Sequence, residues 1–145
     1  MEYYQELQRR GAVYQPDQDV SGWIRFNLIA YHQQAQAVQH RIDQSLSVWE
    51  HLAGFVGDAG MDERVISALH DVALDGRVRR ARYEQAEGLN VQQAQRDLRD
   101  LVTAGLLAPV GRTRARYYTE GPRFPEPVLE VARTPFTFTA PYPKD

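Results

Sequence analysis

Ten positions of the chain, Ile24, Leu28, Tyr31, Ala35, Val38, Ile42, Ser45, Trp49, Leu52 and Val56, follow one another at alternating spacings of four and three residues. Ser45 is the only polar member, and Leu46 beside it can cover the gap. No proline or glycine falls between Trp23 and Ala53. The spacing predicts one helix over residues 22–55, with Ser21 as its N-cap and Gly54, Gly57 and Gly60 closing it. About 34 residues in a helix extend about 50 Å. A repeat of 3.5 residues sustained this long keeps to one side of a helix only when a partner helix lies along it. The helix expected next, over 61–75, has less than half the length needed. The pattern therefore implies a homodimer through the long helix. Gln33, Gln34, Gln36, Gln39 and Gln44 are expected on its solvated outer face.

The second informative stretch is Asn90 to Leu107, NVQQAQRDLRDLVTAGLL. Asn90 is suited to cap a helix over 91–104 with Val91, Ala94, Leu98, Leu101 and Val102 facing inward, and Gly105 to stop it. The surrounding elements come in a specific order. Asp62 and Glu63 begin the helix over 61–75, whose apolar stripe is Val65, Ile66, Leu69, Val72 and Ala73 and whose stop is Gly76. Arg77 to Arg79 fits a short strand. A helix follows over 80–87, with Ala81, Tyr83 and Ala86 as inward candidates, then the tight turn Gly88-Leu89-Asn90. Behind the helix over 91–104 come a strand over 106–110, a turn over 111–116 and a returning strand over 117–119. Three helices followed by a hairpin, at these lengths, is the pattern of a winged helix-turn-helix. The fold class expected is mainly α: a helical N-terminal half with one long helix, then a winged helix-turn-helix.

Charge singles out the same segment. The net charge of −2 conceals a division. Residues 1–75 hold five arginines against eleven carboxylates, a balance of −6; residues 76–123 hold ten arginines against five, a balance of +5. A basic excess confined to one module is the electrostatic footprint of a polyanion partner. Arginine forks suit phosphate and guanine better than lysine does, although a GC-rich genome also favours arginine.

On the helix over 91–104 the outward positions are Gln92, Gln93, Gln95, Arg96 and Arg99. Glutamine can pair bidentately with adenine and arginine with guanine in the major groove. The bland counterpart is a solvated helix face on a module that binds protein. In GRTRARYY, Arg112, Arg114 and Arg116 alternate, which in a hairpin would put all three on one face toward a phosphate backbone or minor groove. The competing reading is a charged edge that discourages strand pairing. Tyr117 and Tyr118 fit packing better than base stacking. Asp97 and Asp100 are expected to pair locally with Arg96 and Arg99.

Other function classes find no support. With no cysteine there are no disulfides, no Cys-ligated zinc and no thiol nucleophile. His32, His40, His51 and His70 lie in no HExxH or similar ligand spacing, so no metal or cofactor is expected. No Gly-rich phosphate loop, GxSxG or paired carboxylate framework occurs, and no catalytic residue is assigned. No apolar run approaches the ~18 residues of a membrane span, and the first ten residues carry no apolar signal core. A cytoplasmic setting follows as the expectation. At the N-terminus a short helix over 2–10 ended by Gly11, and a turn over 15–19, are expected. After Gly121 the prolines at 122, 125, 127, 135, 141 and 143 exclude a long helix and leave at most a turn over 128–133 in an extended tail. Phe136, Phe138 and Tyr142 alternate there with polar or small residues, a pattern able to dock as an edge strand or to cover its own domain. The domains expected are 1–60, 61–121 and 122–145.

Two parts of the chain together resemble the C-terminal region of Fic-family proteins. EYYQELQRRG followed by QPDQDVSGWIRFNLIAYHQQAQAVQHRI is similar to the helices behind the Fic catalytic loop, where a YY-containing helix leads to a W-[IV]-R-F helix with QA near its middle. The matching residues here are Tyr3, Tyr4, Trp23, Ile24, Arg25, Phe26, Gln34 and Ala35. Many members then carry a winged helix. Fic proteins transfer AMP or a related phosphate-containing group to hydroxyl side chains through an HPFx[DE]GNGRxxR loop. This sequence contains neither HPF nor GNGR, so the resemblance brings no catalytic residue and implies no transfer activity for this chain. It implies a DNA-binding regulatory module in transcription regulation, with a protein-interaction or dimerisation module that positions the substrate of a Fic-type AMP transferase as the alternative.

Overall fold

A computed structural model describes residues 19–140 together with Gln5, Gln8 and Asp17. Gln5 and Gln8 are helical and exposed, as a helix over 2–10 requires; the rest of that helix, its stop at Gly11, Tyr3, Tyr4, most of the 15–19 turn, the side chain of Arg114 and residues 141–145 lie outside the described residues. Among those described, the chain is mainly helical: five α-helices, one 3-10 turn and a two-stranded antiparallel sheet. They are α1 (Ser21–Asp58), α2 (Val65–Asp75), α3 (Arg80–Glu87), α4 (Val91–Thr103), β1 (Leu107–Val110), β2 (Tyr117–Glu120) and α5 (Glu126–Ala132). The chain divides into two compact units, Met1–Gln39 with Phe136–Asp145, and His40–Pro135. The division runs through α1 and takes residues 122–135 into the second unit.

In the first unit, Asp19 rather than Ser21 starts the helix, its carboxylate accepting from the Ser21 backbone N–H at 2.9 Å. Ser21 is already helical. The rings of Trp23 and Phe26 stack at 6.2 Å on one side. Gln36, read from sequence as solvated, instead binds the returning chain. Its Oε1 accepts from the Thr139 backbone N–H at 3.0 Å and its Nε2 donates to the Thr139 carbonyl at 3.1 Å. The 3.5-residue stripe in this unit is open to solvent: Ile24, Leu28, Tyr31 and Val38 are all exposed, Tyr31 by 72%.

In the second unit the last part of α1 packs on α2. The residues it buries are Val48, Leu52 and Val56, four apart, rather than the alternating set. Ser45 and Trp49 lie to the side and meet His70, Ser45 Oγ sharing a hydrogen bond with its Nε2 at 3.0 Å and Trp49 meeting its ring edge-on at 5.5 Å. α1 also runs through Gly54 and Gly57, which the sequence reading placed at its end. It stops at Gly60, where the φ of +63 lets Met61 N–H reach the Val56 carbonyl at 3.0 Å and Gly60 N–H the Gly57 carbonyl at 3.1 Å. That pair of bonds satisfies carbonyls otherwise left unpaired at a helix end.

α2 is shorter than expected because Asp62 caps a turn ahead of it, accepting from the Arg64 backbone N–H at 3.1 Å. Val65, Ile66, Ala68, Leu69 and Val72 form its buried face. Val78 makes one antiparallel bridge to Tyr118, with both backbone bonds at 2.9 Å, in place of a separate strand. In α3 only Tyr83 of the three inward candidates is buried; Ala81 and Ala86 are exposed. β1 and β2 pair from Leu107↔Glu120 to Val110↔Tyr117.

After Gly121, among the described residues, the run free of helix, strand and turn is 134–140; residues 122–132 pack within the second unit. Phe124, Val128 and Leu129 enter the same core as Leu69, Leu98 and Leu107. Pro125 stands at the N-cap of α5 and Pro127 in its first turn, where a missing N–H costs nothing. The C-terminal end of α5 is capped from α1: Gln44 Nε2 donates to the carbonyls of Val131, Ala132 and Thr134 at 3.1, 3.0 and 3.2 Å. Among the described residues no helix is long and apolar enough to cross a membrane.

Candidate nucleic-acid interface

α4 begins where its sequence says it should. Asn90 has extended backbone, and its Oδ1 accepts from the Gln93 N–H at 2.9 Å. This occupies one of the donors that a helix start leaves unpaired. Gly88, at φ +62, makes the turn from α3 into this cap. Ala104 ends α4, and Gly105, at φ +78, reverses the chain into β1.

The outward face carries Gln92, Gln95, Arg96 and Arg99, all exposed and spaced to share one side of the helix. Gln93 departs from the expectation: it is half-buried and lies off that face. Val91, expected inside, is 47% exposed. The inward face is Ala94, Asp97, Leu98 and Leu101.

Asp97 is the residue that sequence reasoning misplaced. It does not pair with Arg96 or Arg99 on the surface; it is 6% exposed and sits between three helical segments. Arg64, just ahead of α2, holds it bidentately, Nε to Oδ2 at 2.8 Å and Nη2 to Oδ1 at 2.9 Å. Tyr83 of α3 donates its hydroxyl to Oδ2 at 2.9 Å. Arg64 also contacts Asp62. The Arg64 guanidinium, opposed by burial and helped by Tyr83, holds the Asp97 carboxyl below the usual carboxylate range. Burial, followed by the Asp97 contact, pushes the Tyr83 hydroxyl up. A usable signal existed: Asp97 falls between Ala94 and Leu101 on the helix's own apolar stripe, where a carboxylate needs buried partners.

The hairpin loop also differs from the expected geometry. Thr113–Ala115 forms a 3-10 turn with Thr113 at φ +54, so strand alternation does not order residues 112–116. Arg112 and Arg116 flank that turn and are exposed. Tyr118 packs on the core as expected, whereas Tyr117 lies under the Arg77 guanidinium, 5.8 Å from ring centroid to charge. The candidate residues therefore sit on two elements, one helix face and one loop.

Not every arginine of this unit is available to a partner. Arg64 is committed to Asp97, Arg80 to Glu84 at 2.8 Å, Arg82 to Asp71 at 3.2 Å and Arg133 to Glu120 at 2.8 Å. Arg77, Arg79, Arg96, Arg99, Arg112 and Arg116 form no ion pair among the described residues. Among the described residues no three His, Cys, Asp or Glu side chains converge as a metal site would require. Set against known proteins, the chain matches no family model, no curated protein and no solved structure.

Proposed function

We propose that residues 61–121 act as a winged helix-turn-helix that binds double-stranded DNA, a regulatory module in transcription regulation. The observation that carries this reading is the two-sided character of α4. Its outer side offers Gln92, Gln95, Arg96 and Arg99 without an ion pair among the described residues, while Asp97 fastens its inner side to Arg64 and Tyr83. A helix held this rigidly, with amide and guanidinium groups on one exposed face, has the chemistry of base-edge readout. Arg112, Arg114 and Arg116 in the hairpin loop would take the phosphate backbone. The parent would be a Fic-type protein of the cytoplasm, a reading that rests on the sequence resemblance carried by Tyr3, Tyr4, Trp23, Ile24, Arg25, Phe26, Gln34 and Ala35 alone.

The test is fluorescence anisotropy of the purified chain with random-sequence duplex over a series of salt concentrations. The expected result is a steep loss of affinity with salt. Arg112→Ala should flatten the log–log slope by about one unit for every sequence alike. Arg96→Ala should instead cost about 1–3 kcal/mol, concentrated on a preferred site. No binding even at low salt would overturn the reading.

The exposed stripe on α1 favours an accompanying proposal, a homodimer. Its occupant is a second copy of the chain, because the positions bordering Leu28, Tyr31, Ala35 and Val38 are Asn27, His32, Gln34 and Gln39. Identical copies can therefore meet along that stripe without like charges facing each other. Sedimentation equilibrium should show a concentration-dependent dimer that Leu28→Glu dissolves; a strict monomer at high concentration would sink the idea.

A further inference from the structure

The small sheet has two unlike faces. Val78 bridges Tyr118, and both turn toward the core, Val78 fully buried and Tyr118 packed against it. Side chains alternate across extended backbone, so the residues on either side of these two turn outward. On the Val78 segment they are Arg77 and Arg79, both exposed; Arg79 has extended backbone. On β2 they are Tyr117 and Thr119. The Arg77 guanidinium rests over the Tyr117 ring, which confirms that the two share this outer face.

Neither Arg77 nor Arg79 meets a carboxylate among the described residues, unlike Arg80, Arg82 and Arg133 nearby in sequence or on adjoining elements. Arg77 makes a cation–π contact with Tyr117 at 5.8 Å, which engages the ring face and leaves guanidinium N–H groups for acceptor oxygens. Two exposed arginines on one face, one of them against an aromatic ring, each offer guanidinium donors to phosphate oxygens.

We propose that this outer sheet face is a second phosphate-contacting surface, on which Arg77 and Arg79 each hold a backbone phosphate of duplex DNA. It rests on the DNA-binding reading above and adds to that reading two residues outside both α4 and the hairpin loop. Contacts of this kind fix the register of the module on the duplex without reading sequence. They also make the module's grip wider than α4 and the loop alone would give.

The experiment compares salt dependence of anisotropy for the full chain and five variants on random-sequence duplex, with folding checked by circular dichroism. Arg77→Gln and Arg79→Gln should each lower the log–log slope by about one unit, and the double variant by about two. Arg77→Lys keeps the charge and should restore the slope. Arg133→Gln is the control, since its charge is already engaged by Glu120; its slope should stay at the wild-type value. Wild-type binding with an unchanged slope in the Arg77 and Arg79 variants would overturn the proposal and leave the DNA-binding reading standing. Failure of the wild-type chain to bind would overturn both.

Discussion

Arg64 and Asp97 are 33 residues apart in sequence and form a two-point contact, with both carboxylate oxygens engaged at 2.8 and 2.9 Å. One end of the pair stands just ahead of α2 and the other in the middle of α4. Tyr83 adds α3 to the same carboxylate. A single buried acid thus fixes the mutual setting of three helices, including the one proposed to face DNA. Leucine at the same position would fill space without specifying an angle.

Asp97→Ala removes the acceptor shared by Arg64 and Tyr83. Charged hydrogen bonds of this kind are worth about 1.5–3 kcal/mol each way they are lost, and Arg64, being partly solvent-exposed, can recover some of that from water. The expected outcome is a loss of about 2 kcal/mol, read as a lower urea midpoint with unchanged slope. A shift under half a kilocalorie, roughly the range of an ordinary surface substitution, would remove the pair from its structural role.

The same carboxylate sets a pH dependence. An unfolded aspartate titrates near pH 3.9, and the folded one titrates lower because Arg64 stabilises its charged form. The folded state therefore binds the proton less readily than the unfolded state. The stability it contributes is complete above about pH 4 and disappears as the pH falls through the folded value. Urea midpoints of wild type and Asp97→Asn, measured from about pH 6 downward, should converge at the acid end. A gap that stays constant with pH would contradict the depressed carboxyl.

Asn90→Ala leaves the Gln93 N–H without its acceptor at the start of α4. The cost expected is about 1 kcal/mol, from the general value of such caps. Asn90→Ser should restore most of it. Thermal unfolding followed at the helical band checks both.

Two glycines should respond in opposite directions to the same substitution. Gly54 is inside α1 with open space around it, so Gly54→Ala should raise stability by about 0.5–1 kcal/mol through the unfolded chain. Gly121 lies where its Cβ would run into the Gly105 carbonyl, beside the bond from its own N–H to the Leu106 carbonyl at 2.9 Å. Gly121→Ala should lower stability by about 1–3 kcal/mol, the usual range for overpacking. Equal effects at both sites would show that neither reading of the local space is right.

Local chemistry was legible in the residues themselves. Asn90 as a cap, Gly76, Gly88 and Gly105 as helix ends, and the range of α3 all depend on neighbours a few positions away, and all fall where the sequence puts them. Long-range partners were not. The sequence pairs Asp97 with its neighbours Arg96 and Arg99, since nothing near it in the chain nominates Arg64. Polarity alone places Gln36 and Gln44 in solvent, while their amides bind backbone of residues 131–139. Pro125 and Pro127 exclude a long helix but are compatible with the start of a short one, where they stand. Four of the five residues expected outward on α4 are exposed, because helical periodicity is local, whereas the contact of Arg77 with Tyr117 spans forty residues.

The contact of Gln44 with the end of α5 has a kinetic consequence. Its amide reaches carbonyls 87, 88 and 90 positions later in the chain, so everything from α2 to β2 lies inside the loop it closes. On a ribosome Gln44 emerges ahead of nearly the whole second unit and waits for it before its amide finds those acceptors. Closure of so wide a loop comes late on the folding route, because its entropy is lost before the contact rewards it. Gln44→Ala should therefore speed unfolding while leaving the folding rate nearly untouched. The side chain acts as a latch on an already assembled module rather than as part of its nucleus.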